Sequence, residues 1–382
     1  MIESKSKKTE LKYYIIAGER SGDLHGSNLI KELKKLDKQA GFRGLGGDEM
    51  QSLGVNLFVH YRELAFMGFE AVTNFFKIAR YMKQCEADIL TYKPDALILI
   101  DYGGFNRRVA KFGKKNGVKV LYYIPPKVWA WRRDRAKSLK ASVDKMFVIL
   151  PFEKEFYKQY NFQVEYVGNP VLDAIKSFRP SHNFLSEHQL SLDKKIIALL
   201  PGSRTLELKR IVPLMAEVVK QNPNYQFVVA AVDNLPSELY QRLKELNSVK
   251  FVYNQTYDLL KHAQAAIVTS GTATLETALL KVPQVVVYKA GGLEYSIAKR
   301  IVQVKFISLV NLIANREVVK ELIQDDASPV FVQNELLQLA EETEKRKQVM
   351  AGYGEIYKVL DTGSASANTA KSMVEFLNQQ KN

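Results

Sequence analysis

Tyr13-Tyr14-Ile15-Ile16-Ala17-Gly18-Glu19-Arg20-Ser21-Gly22-Asp23-Leu24 is the stretch on which the fold turns. A run of aromatic and β-branched residues breaks at Gly18, passes through a polar turn with a second glycine, and enters the helical apolar spacing of 24–36. That order is strand, glycine-rich turn, helix. It returns at Ala96-Leu97-Ile98-Leu99-Ile100, followed by Asp101-Tyr102-Gly103-Gly104-Phe105-Asn106 and a basic helix over 107–115, with further strands predicted at 118–124 and 146–150. The stretch 177–193, rich in Ser, Pro, His, Asn and charge, reads as a loop or linker. Beyond it the order repeats. A strand at 196–200 meets Pro201-Gly202-Ser203-Arg204 and a helix over 207–220, and a strand at 265–269 meets Ser270-Gly271-Thr272-Ala273 and a helix over 274–280. More strands are predicted at 227–231, 249–253 and 285–288, and charged helices at 336–360 and 368–379. Apolar strands alternating with helices imply parallel sheets covered on both faces. The expected fold class is α/β, with two Rossmann-like doubly wound lobes facing a cleft. The expected domains are 1–175, 176–345 and a C-terminal helical segment, 346–382, packing across the lobes. Ligands of open α/β sheets sit beyond the carboxyl ends of the strands, so function is expected in the loops just quoted.

Composition narrows the partners. With 382 residues, 46% hydrophobic and 25% charged, the chain has room for two or three cores and is neither a disordered tail nor a mini-protein. Fifty-five Lys and Arg against 41 Asp and Glu give +14, a surface suited to phosphates, nucleic acid or an anionic membrane face. The single cysteine, Cys85, forms no intramolecular disulfide, and the polar stretch 1–10 lacks an apolar export core, so a cytoplasmic location is expected. No apolar run approaches the roughly 20 residues of a spanning helix, which leaves peripheral contact as the expected membrane mode.

The glycines Gly18, Gly22 and Gly26 follow neither the dinucleotide fingerprint nor the Walker A loop. Gly18 and Gly22 permit a tight turn and close ligand approach. Glu19 stands at a strand's carboxyl end as a site candidate, while Ser21 and Asp23 either contact ligand or cap the following helix. The loops Gly202-Ser203-Arg204 and Ser270-Gly271-Thr272 each open a helix, where amides and the positive helix end suit a diphosphate and Arg204 can grip it through two parallel bonds. Glu276, on the first turn of its helix, either takes ribose hydroxyls or complements the dipole. No H-x-x-x-H, C-x-x-C or D-x-D metal pattern and no G-x-S-x-G elbow occurs. Phe66, Met67 and Phe69, then Phe75 and Phe76 among Lys77, Arg80 and Lys83, interleave apolar side chains with cations. This pattern suits either an interfacial membrane contact or a core helix with outward cations. Trp129-Ala130-Trp131-Arg132-Arg133 offers a stacking surface or a packing plug.

Taken in order, Gly18 to Gly26, Gly44-Leu45-Gly46-Gly47, Met67-Gly68, Val128-Trp129-Ala130-Trp131-Arg132, Leu150-Pro151-Phe152-Glu153, Pro201 to Arg204, Ser270 to Glu276 and Asn311-Leu312-Ile313-Ala314-Asn315-Arg316-Glu317 resemble the lipid-A-disaccharide synthases of Gram-negative bacteria. The resemblance runs through nearly the whole chain. It implies the B-type glycosyltransferase (GT-B) architecture, with UDP on the second lobe and acceptor on the first. It implies an inverting reaction that joins UDP-2,3-diacylglucosamine to 2,3-diacylglucosamine 1-phosphate in a β-1,6 linkage and releases UDP, with no metal and no cofactor. Arg204 and Asn311 would stabilise the departing diphosphate, and Arg316 lies in a matching motif as a further substrate contact. The acyl chains imply peripheral attachment to the inner face of the cytoplasmic membrane by a monomer or homodimer, without nucleic acid. One departure concerns the base. Where the family pattern has a second acidic residue after the strand, this chain has Gly104, so Asp101 and Glu19 are the base candidates, Asp101 preferred. Asn169 stands where histidine is usual. The alternatives are another B-type UDP-sugar enzyme such as an epimerase, or a basic membrane or nucleic-acid binding module.

Overall fold

The computed structural model describes residues 10–65, 74–292, 295 and 304–380, without the side chains of 64, 65 and 74–77. Phe66, Met67 and Phe69, and the side chains of Phe75 and Phe76, therefore lie outside the described residues. The chain forms two compact units, Met1–Pro170 with Thr362–Asn382, and Val171–Asp361.

The first unit is built on seven parallel strands, β1 (Lys12–Ala17), β2 (Gly41–Gly46), β3 (Asn56–His60), β4 (Ala96–Ile100), β5 (Lys119–Tyr123), β6 (Lys145–Val148) and β7 (Glu165–Tyr166), in the order β3-β2-β1-β4-β5-β6-β7. Tyr13 to Ala17 and all of β4 are buried, as strands covered on both faces must be. Ile15 pairs with both Gly44 and Ile98, so β1 is central and strand order reverses between β1 and β4. A crevice for ligand opens beyond such a reversal. Helix Arg20–Leu36 seats Leu29, Ile30 and Leu33 in the core on one face of this sheet.

The second unit repeats the plan with β8 (Ile196–Leu200), β9 (Gln226–Ala231), β10 (Val249–Tyr253), β11 (Ala263–Thr269), β12 (Gln284–Tyr288) and β13 (Glu321–Ile323), in the parallel order β10-β9-β8-β11-β12-β13. Here the reversal falls between β8 and β11, whose Leu200 and Val268 are paired. The loop Pro201 to Arg204 thus lies beside the loop Ser270 to Thr272.

The units are bounded differently from the expected 175 and 345. The stretch 177–193 is no free linker: Phe184 is fully buried and stacks on the His262 ring at 5.5 Å, within the second unit. The helix expected over 336–360 is two, Pro329–Ala340 and Glu344–Leu360, with Glu341 at the end of the first and Thr343 capping the second by accepting from the Arg346 amide while its hydroxyl donates to the Gln338 carbonyl at 2.6 Å. Helix Glu344–Leu360 buries Val349, Tyr353 and Ile356 in the second unit, where Tyr353 accepts a hydrogen bond from Gln284. The last helix, Ala365–Gln379, instead places Ala370, Met373 and Leu377 in the first core beside Leu29 and Leu33. Burying Met373 and Leu377 contributes roughly 1.5–3 kcal/mol each.

Candidate active site

In the first unit the loops after β1 and β4 are locked together by backbone that few residues adopt. Asp101 and Tyr102 both have φ of 47°, and Ile124 at the end of β5 has 58°. Each left-handed residue costs on the order of 1–3 kcal/mol and persists only where its surroundings over-determine it. Here the Asp101 amide donates to the Ile124 carbonyl at 3.1 Å, and the Asp101 carbonyl accepts from the Tyr122 hydroxyl at 2.7 Å and from Asn106 Nδ2 at 2.9 Å. Asn106 also donates to the Ile100 carbonyl at 3.1 Å. The turn swings the Tyr102 ring over Gly18, where a Cβ would stand 2.3 Å from the ring, so only glycine fits at that position.

Asp101 is half-buried, and that burial raises its carboxyl above the ordinary range, with the nearby Lys127 charge pulling it back. Glu19 is exposed at the start of helix Arg20–Leu36, and after burial its charge is the second cause raising the Tyr102 phenol. Gly18, Glu19, Asp101 and Tyr102 therefore form one group. Gly104 is exposed with open space around a notional Cβ, so sterics do not exclude the acidic residue missing there.

Asp23 does something else. It caps a different helix from its own. Its Oδ1 accepts from the Gly47 amide at 2.7 Å and the Met50 amide at 3.2 Å, and its Oδ2 from the Glu49 amide at 3.0 Å. It is 2% exposed and holds the start of helix Asp48–Ser52. Ser21 is exposed and no side chain caps helix Arg20–Leu36, so capping by either residue at their own helix is corrected. Gly22 is buried. His25, half-buried, is lowered to about 4 by burial and carries no charge at neutral pH. Asn169 is buried, donating to the Ile149 carbonyl.

Glu153 was not singled out by the sequence beyond its place in a motif. It is buried beyond β6, accepts from Trp129 Nε1 at 3.1 Å and the Leu150 amide at 3.0 Å, and is raised to about 7 by burial. Trp129 is thereby fixed, while Trp131 stays 53% exposed.

In the second unit the two loops at the strand-order reversal differ. Gly202 has φ of 110°, and its notional Cβ would strike Glu207 Oε2 at 2.4 Å. Glu207 folds back over the loop: Oε2 accepts from the Ser203 amide at 3.0 Å, and Oε1 lies 3.6 Å from Arg204. A carboxylate thus stands where an incoming anion would meet these donors. The Arg204 side chain is 83% exposed. Gly271 precedes helix Thr272–Leu279, which no side chain caps, and among the described residues nothing lies within 4 Å of a Cβ placed on Gly271. Among the described residues no side chain takes the Thr272 or Ala273 amide, while the Thr274 amide donates to the Gly271 carbonyl at 3.3 Å. Ser270 donates to the Ile307 carbonyl at 2.9 Å and so anchors the loop. Glu276 accepts from the Tyr257 hydroxyl at 3.0 Å, and burial raises its carboxyl.

Asn311 and Arg316 are both engaged within the protein. Asn311 is fully buried with both amide atoms doubly engaged: Nδ2 donates to the Val319 carbonyl and Glu321 Oε1, each at 2.9 Å, and Oδ1 accepts from the Val318 and Val319 amides at 2.7 and 3.0 Å. Glu321 also holds the Ile307 and Ser308 amides, so Asn311 supports the segment on which Ser270 leans. Arg316 pairs with Glu355 at 2.6 Å on exposed surface. Among the described residues no three His, Cys, Asp or Glu side chains converge as a metal cluster, and no helix is long and apolar enough to cross a membrane.

This fold of two parallel sheets is shared by many solved proteins. A Staphylococcus aureus MnaA–UDP co-structure matches at TM-score 0.68 over 97% of both chains with 12% identity, which shows the fold alone. Sequence carries further. A lipid-A-disaccharide synthase of Coxiella burnetii is 36% identical over 362 residues, 94% of this chain and 96% of that protein. One of Syntrophus aciditrophicus is 38% identical over 343 residues, 88% and 90% of the two chains. The family model described as lipid-A-disaccharide synthetase matches residues 13–374. The chain belongs to the lipid-A-disaccharide synthase family, the glycosyltransferases of lipid A synthesis.

Proposed function

We propose that the protein transfers 2,3-diacylglucosamine from UDP to the 6-hydroxyl of 2,3-diacylglucosamine 1-phosphate, giving the β-1,6 disaccharide and UDP with inversion. The observation that supports the division of labour most is the pair of neighbouring loops in the second unit: an uncapped helix start at Gly271-Thr272 beside the exposed guanidinium of Arg204. In this reading, the amides of Gly202, Ser203, Gly271 and Thr272 and the hydroxyls of Ser203 and Thr272 seat the diphosphate, and Ser270, whose amide and hydroxyl donate to the Val287 and Ile307 carbonyls, fixes the loop. Arg204 displaces Glu207 to grip it, and Glu276 takes a ribose hydroxyl with the oxygen that Tyr257 leaves free. Donors placed in advance where charge develops lower the barrier without reorganisation.

In the first unit Asp101 is the base that removes the acceptor proton as the hydroxyl attacks the anomeric carbon in line, so that the C–O bond to the sugar forms while the bond to the UDP oxygen breaks. Its raised pKa makes it a stronger base than an exposed carboxylate. Glu19, beside Tyr102 and Gly18, orients the acceptor, and Ser21 and Gly22 border it. Asn311 acts by holding the Ser270 segment. Phe66, Met67, Phe69, Phe75 and Phe76 supply the peripheral contact with the inner face of the cytoplasmic membrane.

Purified protein given both acylated sugars should release UDP in the presence of EDTA and yield a product with the mass of the disaccharide. Absence of turnover, strict metal dependence, or a product of unchanged sugar mass, as from an epimerase, refutes the reading. Serine at Phe75 and Phe76 should weaken liposome flotation by several-fold while detergent-solubilised activity persists; unchanged flotation returns these side chains to a core role.

A further inference from the structure

Four arginines crowd the first unit with one carboxylate among them. Arg107 lies on helix Gly103–Lys115, which starts two residues after Asp101. Arg135 opens helix Arg135–Ser142, which packs on that helix, and Arg132 and Arg133 immediately precede it. Arg133 and Arg135 thus sit at the positive end of a helix, where cations are disfavoured, while Arg132 is the C-cap residue of the short helix Val128–Trp131. The Nε atoms of Arg107 and Arg135 are buried without an acceptor among the described residues. A buried donor left unsatisfied is costly unless a ligand completes it. The one acid, Asp134, is exposed and already taken by Arg132, through Nε–Oδ1 and Nη2–Oδ2 contacts of 3.1 Å each. Arg133 donates to the Trp129 carbonyl at 3.2 Å and faces the Phe156 ring. Arg135 lies 5.7 Å over the Trp131 ring, which limits its swing into solvent. Burial first, and then the charges of Arg132 and Arg107, hold the Arg135 guanidinium below its ordinary pKa, so the cations repel one another.

A cluster with surplus positive charge, vacant donors and an unfavourable helix end lacks an anion. We propose that Arg107 and Arg135, flanked by Arg132, form a phosphomonoester site, and that it holds the 1-phosphate of the acceptor sugar. The assignment rests on the proposed function, in which the first unit handles the acceptor. Its position suits that role: Arg107 lies four residues, about 6 Å of helix rise, beyond Gly103, on the helix that starts two residues after the proposed base. Guanidinium groups meet phosphate oxygens through paired, charge-assisted bonds.

The test uses the whole protein with acceptors that carry or lack the 1-phosphate, comparing Arg107→Gln and Arg135→Gln with wild type. The wild-type preference for the phosphorylated acceptor, as a ratio of kcat/KM, should fall roughly 10–100-fold in each variant. Inorganic phosphate should raise the Tm of wild type above that in chloride of equal ionic strength, and the variants should lose this shift. Equal losses on both acceptors, no loss, or a defect seen only in binding to anionic phospholipid vesicles overturns the assignment. Relief of repulsion should leave the variants' Tm in chloride equal to or above wild type; if a variant misfolds, Arg107→Lys, which keeps charge but not the planar fork, should show an intermediate preference. Failure of wild type to use either acceptor refutes the synthase reading instead, and the phosphate-dependent Tm shift still decides the anion site.

Discussion

Beyond β1 and β4 the first unit carries two carboxylates, Glu19 on extended and Asp101 on left-handed backbone; beyond β8 and β11 the second carries amides, hydroxyls and one guanidinium on glycine turns. The strain in the first is stored at Asp101 and Tyr102 and maintained by Asn106, Tyr122 and Ile124. The second has its irregular φ at Gly202, where a residue without Cβ adopts it at no steric cost. A base must be held at one point against an attacking hydroxyl, which favours a rigid mount. A diphosphate presents many oxygens, so a row of amides accommodates it without such strain. On the proposed function, one topology used twice separates proton removal from leaving-group stabilisation by the chemistry of its loops.

The largest test of that contrast is Asp101→Asn, which keeps shape and removes the base: kcat should fall about 10²–10⁴-fold while UDP binding persists. Wild-type activity should climb with pH on an acid limb above the ordinary carboxylate range, because burial raises the Asp101 pKa and only the ionised form accepts a proton. A limb that survives in Asp101→Asn transfers the role to Glu19. Next comes Arg204→Ala, expected to cost about 10²–10³-fold in kcat, with the pH limb unmoved; a shifted limb would mean that the two units do not divide the chemistry. Asp23→Ala should lower stability by about 2–3 kcal/mol, read as a fall in urea midpoint, since three amides, two of them in buried bonds, lose a charged acceptor. Activity at low temperature should survive, and a selective rise in acceptor KM would restore Asp23 to the substrate. The smallest effect belongs to Glu207→Gln: removing the carboxylate that occupies the Ser203 amide should tighten UDP several-fold by calorimetry, whereas weaker binding would make Glu207 a support of the loop.

The loops at both reversals were legible because glycine breaks a strand locally and a helix restarts within a few residues. Strands β2 and β3 were not, since Gly-Phe-Arg-Gly-Leu-Gly has little β-propensity and gains its place by pairing with β1. Asp23 and Asn311 carried the residue types of a binding site, yet both are engaged by backbone. Arg316 is drawn into a surface ion pair. Glu153 went unread, and Arg132 and Arg133 were read without Arg107 and Arg135, for the reverse reason: burial and crowding depend on which helices pack together, and no motif spacing encodes that.

Alternation of apolar strands and helices, with glycine at the turns, was enough to settle a doubly wound α/β chain in two halves, because hydrophobic period and steric freedom are properties of neighbouring residues. Three-dimensional packing chose the strand order, sent the last helix back to the first core, and sorted polar side chains into those satisfied by amides far along the chain and those left with donors to offer. A hydrogen bond needs its partner within about 3 Å, and residues 24 positions apart, as Asp23 and Gly47 are, meet only once the chain has folded.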